Sequence, residues 1–326
     1  MSTRSTTPPP VRGGTMRSLR TAAVPPGRQS IRDSPRARGR RRYTRAVLFF
    51  VLPFSTLFAL FAVIPIGYAV VQSLYVVQRT GTFGPAREVF GGLTQYDRVF
   101  SDGPFWTSMG RVLMFGMVQV PVMLGLALLL ALLLDSGLVR GRRFFRLAFF
   151  LPYAVPGVVA AIMWGYLYSP QLSPFTAVTG NVDLLSADLV LWSMANVVTW
   201  VYVGYNMLII YSALLAIPPE IYEAAKLDGA GPIRTAISIK VPLILPAIVL
   251  TTVFSIIGTL QLLAEPQVFR SFSTAVSSTY TPNLTVYSTS SVPNFNLAAA
   301  FSVVLALSIF VLSFTFLRFT QRRGIR

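Results

Sequence analysis

Six long apolar stretches, separated by shorter segments that carry most of the charge, organise the chain: residues 46–70, 112–134, 147–168, 189–211, 241–263 and 297–317. Each supplies about the 20 helical residues that a hydrocarbon core requires. Lipid offers the backbone no water to bond, so a helix, which satisfies its own amides and carbonyls, is the expected form. The short alternating segments of a transmembrane barrel are absent from the sequence. The pattern predicts an all-α polytopic membrane protein with six transmembrane helices. Residues 264–296, rich in Ser, Thr and Pro, are expected to form an outer loop, and the 78–111 connection is too short for a large inserted domain. No tandem repeat or coiled coil is visible.

Composition agrees with that environment, because the chain is 53% hydrophobic and 12% charged, where soluble domains carry about 25% charge. Charge also predicts the orientation. Of the 28 Lys and Arg residues, only Arg79, Arg87, Arg98, Arg111 and Arg270 fall in three of the connections; the rest lie in the two tails and the loops at 135–146 and 218–240. By the positive-inside rule both termini are cytoplasmic, in a multi-pass membrane protein. The first 45 residues hold twelve Arg and one Asp among Pro, Gly and Ser. They read as a disordered Arg-rich cytoplasmic tail, with the run 38–45 near anionic lipid headgroups. The transmembrane domain then covers 46–318, and 319–326 form a cytoplasmic C-terminal tail. The formal charge of +17 does not predict a nucleic-acid partner, since Tyr43 is the lone aromatic among these basic residues. The first apolar run begins too late for a cleaved signal peptide, and five more succeed it.

What the chain lacks excludes whole classes of chemistry. It has no Cys and no His, which removes thiol nucleophiles, disulfides, His-based triads and the usual zinc sites. Its two lysines, Lys226 and Lys240, precede Leu and Val, so no Gly-Lys-Ser/Thr phosphate loop can form. No catalytic residue, metal site or bound cofactor is expected, and the chain does not read as an enzyme.

The loop Glu220-Ile-Tyr-Glu-Ala-Ala-Lys-Leu-Asp-Gly-Ala-Gly-Pro232 has a local logic of its own. Pro218 and Pro219 suit the start of a new helix, Glu220 and Glu223 sit at the end of the macrodipole that favours negative charge, and Asp228-Gly229 ends it. Ile221, Ala224, Ala225 and Asp228 share one side, and the paired alanines leave a shallow strip for another protein surface. This segment resembles the Glu-Ala-Ala loop of permease subunits in bacterial ATP-binding-cassette importers. Glu223, Ala224, Ala225, Gly229, Ile239 and Pro242 stand at the pattern's positions, with Val241 where Leu is usual. Further stretches, among them Tyr96-Asp97, Gly125–Ala131, Gly141–Arg146 and Leu151–Tyr153, resemble the sugar-type branch (maltose/glycerol-phosphate) over about residues 46–318. The resemblance implies a type I importer permease fold, with a shared module over about 107–318 and an ATPase-coupling loop at 218–242. It also implies a second permease subunit, two ATP-binding subunits that consume ATP, an extracytoplasmic solute-binding protein and a carbohydrate substrate. Import of another polar solute, such as a glycerophosphodiester or polyol, is the alternative. A secondary transporter would need an intramembrane carboxylate or His relay that the runs do not convincingly offer.

A path for sugars wants amides and hydroxyls beside aromatic faces. Trp200, Tyr202, Tyr205 and Asn206 in the fourth run and Gln261 in the fifth meet that description. For Asn206 and Gln261, solute contact and bonding between helices are both open. Trp164 and Tyr166 fit an interfacial aromatic belt, and Glu265 either a gate or an interfacial carboxylate. Bends are expected at Pro152 and Pro156, and close helix contacts at Gly116, Gly125, Gly157, Gly165 and Gly204.

Overall fold

The computed structural model describes residues 35–79, 84–137, 139–170, 172–174, 180, 182–291 and 294–324. It divides into two units, Met1–Leu60 and Phe61–Arg326. The first contains helix α1, Pro35–Phe58, which begins inside the segment expected to be a disordered tail. Proline is harmless at a first helical position and Arg is a good helix former, so the Arg run carries the helix backwards from the apolar residues. Residues 1–34 of the expected tail lie outside the described residues. Phe49, Phe50 and Phe54 of α1 are exposed, as a lipid-facing surface would be.

The second unit opens with α2 (Ile64–Gln72) and an antiparallel hairpin of β1 (Tyr75–Arg79) and β2 (Ala86–Phe90), in register from Tyr75↔Phe90 to Arg79↔Ala86. This two-stranded hairpin is a small addition to an otherwise helical fold. Val76, Val77 and Val89 favour a pleated surface, and Tyr75 meets Phe90 edge to face at 5.8 Å. Beyond it come α3 (Thr94–Ser101), α4 (Gly103–Asp135), α5 (Arg142–Phe150), α6 (Gly157–Tyr168), α7 (Val190–Leu215) and α8 (Pro219–Leu227). Short helical turns over 232–243 lead to α9 (Leu245–Leu260), α10 (Ala264–Phe269), α11 (Pro282–Ser291) and α12 (Phe295–Gly324).

Five of the six anticipated spans are long apolar helical runs: Val47–Gln72, Gly103–Asp135, Val190–Leu215, Leu245–Phe269 and Phe295–Gln321. The sixth, Arg142–Ala154 with Gly157–Tyr168, is bent by 95°. Pro156 explains the position of that bend. It lacks an N–H and drives the preceding residue out of the helical region, and Val155 lies at ψ 125.

Residues 264–296 are not the exposed loop their composition predicts. Phe269, Val276, Tyr280 and Leu284 are buried, and Ser273 Oγ donates to the Leu185 carbonyl at 2.6 Å. Ser273, Thr281 and Thr285 are buried and hydrogen-bonded, while Val276, Tyr280 and Leu284 recur at four-residue spacing and join the core.

The long helices α4 and α7 pack side by side along much of their length. At one end of the pair Ala127, Ala131, Met207 and Leu214 close together; towards the other, Phe115, Met194 and Val197 join Ala160 and Ala161 of α6. Glycine permits the tightest approach. A Cβ on Gly204 would stand 1.8 Å from the Phe149 carbonyl oxygen, and one on Gly165 2.6 Å from the Phe272 ring. Gly116 faces Thr259 at 3.1 Å and Gly157 has only ordinary contact with Ala264 at 3.9 Å. Gly125 has nothing within 4 Å, so the close contact expected there does not exist.

Gly204→Ala should therefore destabilise the purified protein by about 1–3 kcal/mol, the usual range for overpacking against an unyielding partner. Gly125→Ala should leave thermal stability unchanged or raise it slightly through helix propensity. Melting curves of the two variants in detergent check both expectations, and equal effects would contradict the packing described.

Candidate functional site

A cavity of about 630 Å³ opens between α4, α6, α7 and α9. Four of the five side chains selected for solute contact line it: Tyr202, Tyr205, Asn206 and Gln261. The first three lie on one face of α7 at helical spacing, continued one turn earlier by Val198. Trp200 is the exception. Two residues before Tyr202 it points about 200° away on the helical wheel, into the core, where it meets Trp164 edge to face at 5.8 Å. Trp164 packs against the same core, so it is not a simple belt residue, whereas Tyr166 is exposed.

The aromatic wall is built from two elements. Tyr153, carried into place by the proline-bent segment between α5 and α6, stacks on Tyr205 with centroids 4.7 Å apart and planes 16° from parallel. It also meets Tyr202 edge to face at 5.8 Å. Sequence reasoning missed Tyr153 as a site residue, although the flanking Pro152 and Pro156 marked the bend that presents it.

The polar wall is more varied. Asn206 is buried and its amide nitrogen donates to the Tyr202 carbonyl at 3.0 Å, and to Met123 Sδ of α4 at 3.8 Å. It thus lines the cavity and ties α7 to α4 at once. Gln119, not singled out from sequence, reaches Thr199 Oγ1 at 3.3 Å. Gln261 sits where the chain unwinds between α9 and α10, and its carbonyl accepts a hydrogen bond from Asn283 Nδ2 at 2.9 Å. Glu265, in the first turn of α10, is buried and lines the cavity; it is not an interfacial surface carboxylate.

The loop 218–242 forms a second site. Pro218 caps α8, Asp228 ends it, and Gly229 takes a left-handed φ of +69°. The Gly229 amide bonds the Lys226 carbonyl and the Ala230 amide the Ala225 carbonyl, the paired closure of a glycine-terminated helix. Glu220, Glu223, Ala224 and Leu227 are exposed on one face, with Leu227 90% exposed. Ala225 does not belong to that strip. It is buried on the inner face with the half-buried Ile221 and Tyr222, because helical spacing sets it one turn beyond them. Ile239 is half-buried and Pro242 exposed. Sequence reasoning also missed that Leu227, Ile233 and Ile237 present exposed apolar surface around the loop.

A charged clasp holds this loop to α4. Lys240 pairs with Asp135 at the end of α4 and lies over the Tyr222 ring at 4.8 Å. The Tyr222 hydroxyl faces the Leu214 carbonyl at 3.5 Å. Burial, and then the Asp135 carboxylate, push the Tyr222 phenol above its ordinary range.

The chain is similar to proteins of known family and fold. The model of the family described as "Binding-protein-dependent transport system inner membrane component" matches residues 123–326. The lactose transport system permease protein LacF of Rhizobium radiobacter is 32% identical over 281 residues, covering 81% of this chain and 90% of that protein. The sn-glycerol-3-phosphate transport system permease protein UgpA of Yersinia pseudotuberculosis is 32% identical over 201 residues, or 60% of this chain and 67% of its own. In fold, the chain is similar to a chain of a bacterial ABC transporter involved in the import of alginate. The TM-score is 0.69 at 18% identity, over 88% of this chain and 99% of that one.

If the clasp fixes α8, Asp135→Asn should speed amide exchange across Glu220–Leu227 by about tenfold, the loss of one charge-assisted hydrogen bond. The swap of Asp135→Lys with Lys240→Asp should restore much of the protection. Hydrogen exchange read by mass spectrometry decides the matter, and unchanged exchange in the single variant would dismiss the clasp.

Proposed function

Because the chain belongs to the family of binding-protein-dependent transport system inner membrane components, we propose that its 630 Å³ cavity is the path for a sugar or oligosaccharide. The chain is a multi-pass permease subunit of an ABC importer and not an enzyme. The cavity carries the sugar reading. Its volume lies within the range of small-solute sites, about 300–1,000 Å³. Stacked tyrosines offer faces for a sugar ring, and Asn206 and Gln261 place amides beside them. The likeness to a lactose permease protein over most of both chains adds support.

In this reading a second, related permease completes the path, and two ATP-binding subunits supply the energy that this chain cannot. One of them docks on the exposed face of α8, using Glu223, Ala224 and Leu227, with Gly229 setting the turn that aims it. A solute-binding protein delivers the sugar from outside, and both termini are cytoplasmic, as the distribution of Arg favours. Closure of the ATP-bound subunits moves α8. The clasp passes that movement to α4 and the short link 216–218 passes it to α7, so the cavity opens to alternate sides.

The test is uptake of radiolabelled lactose by the reconstituted complex with its binding protein, supplied with ATP while ion gradients are collapsed. Uptake should persist, and Tyr205→Ala should lower it about tenfold while ATP hydrolysis and assembly remain. Uptake that tracks an ion gradient instead of ATP would refute the pump. A full rate in Tyr205→Ala would remove this cavity from the path.

A further inference from the structure

The cavity wall holds a buried carboxylate and two buried amide oxygens without partners. Gln119 is 2% exposed, and its Oε1 is buried without a hydrogen-bond partner while its amide nitrogen is engaged. Gln267, on α10, also has a buried Oε1 without a partner. Two residues earlier stands Glu265, 6% exposed. Among the described residues no Lys or Arg comes within ion-pair distance of it, and none lines the cavity. Tyrosine and threonine hydroxyls on the wall can serve as donor or acceptor, but an ionised carboxylate and an amide oxygen can only accept. Among the described residues the wall therefore carries one carboxylate and no fixed cation.

That imbalance has consequences for the cargo. A buried charge is costly unless hydrogen-bonded or paired, and with no cation in the cavity wall Glu265 is left to be solvated by dipoles, among them the hydroxyls of what passes through. Sugar hydroxyls are such donors, and vicinal pairs of them can span the two oxygens of a carboxylate. A phosphate or uronate group brings a second negative charge and no donor, in surroundings where charges are weakly screened. We propose that Glu265 is the charge filter of this cavity, a role that rests on the cavity being the solute path. It accepts hydrogen bonds from hydroxyl-rich, uncharged solutes and turns anionic ones away. Gln119 and Gln267 add acceptor oxygens to the lining of the same cavity.

The absence of Cys makes a test possible that does not require knowing the natural solute. Ser255 lines the cavity, and Ser255→Cys in the assembled complex gives this chain a single thiol there. Its labelling is measured with a cationic ethyltrimethylammonium and an anionic ethylsulfonate methanethiosulfonate, each rate normalised to a free thiol. The cation should react faster than the anion by about tenfold or more, and adding the near-isosteric Glu265→Gln should cut that preference about tenfold. A preference untouched by Glu265→Gln, with both reagents reaching the thiol, overturns the filter and leaves the path standing. A thiol that neither reagent reaches, with or without ATP, overturns the path reading and the filter with it.

Discussion

Inside a bilayer no backbone amide or carbonyl can be left to water, and the arrangement around the cavity depends on how this chain breaks a helix without breaking that rule. Between α9 and α10 the segment 261–263 is unwound, freeing carbonyls that a continuous helix would have engaged. Thr281 Oγ1 donates to the Leu262 carbonyl at 3.0 Å, and Asn283 Nδ2 to that of Gln261. The Thr281 hydroxyl in turn accepts from the Leu284 amide, capping α11. One threonine thus ends one helical break and starts the next helix. Without α11 folded back to supply these donors, the unwound segment could not persist, and Gln261 and Glu265 would not both face the cavity.

The same rule explains which parts of the structure were legible in the sequence. Apolar length is imposed directly by the bilayer, so the spans could be read to within a few residues for α7 and the fifth run. The Glu-Ala-Ala loop was legible because prolines, acids and glycine each report a local backbone state, and Gly229 adopts the left-handed conformation its position demands. Residues 264–296 mislead because Ser, Thr and Pro signal loops in water. Here the same hydroxyls replace water as donors to broken helices, so polarity marks burial instead of exposure. Helical phase was the other loss. Trp200 has the right chemistry for the cavity but the wrong angle on α7, whereas Tyr202, Tyr205 and Asn206 share a face. Tyr153, from a different element, could be found only once the Pro156 bend brought it to Tyr205.

Coupling as proposed would travel along continuous helices, and α4, with Pro121 inside it, and α7 both extend from the cavity to the loop. Each runs unbroken from the cavity to the loop end, with Gln119 and Asn206 at one point and Asp135 and Leu215 at the other. From Gln119 to Asp135 the rise of an α-helix gives about 24 Å. The two helices are pinned together along the way by apolar packing and by the Asn206 contact with Met123. In the proposed mechanism, movement of α8 would reach the cavity by two parallel routes, through the 216–218 link to α7 and through Lys240 and Asp135 to α4. If only the link existed, α8 could swivel about its prolines and leave α7 still. A second attachment on a different helix turns a swivel into a lever, because rotating α8 must then shift α4 against α7 or break a partly buried ion pair. The wall divided between those helices, Gln119 and Met123 on one and Tyr202, Tyr205 and Asn206 on the other, is the surface such a shift would part.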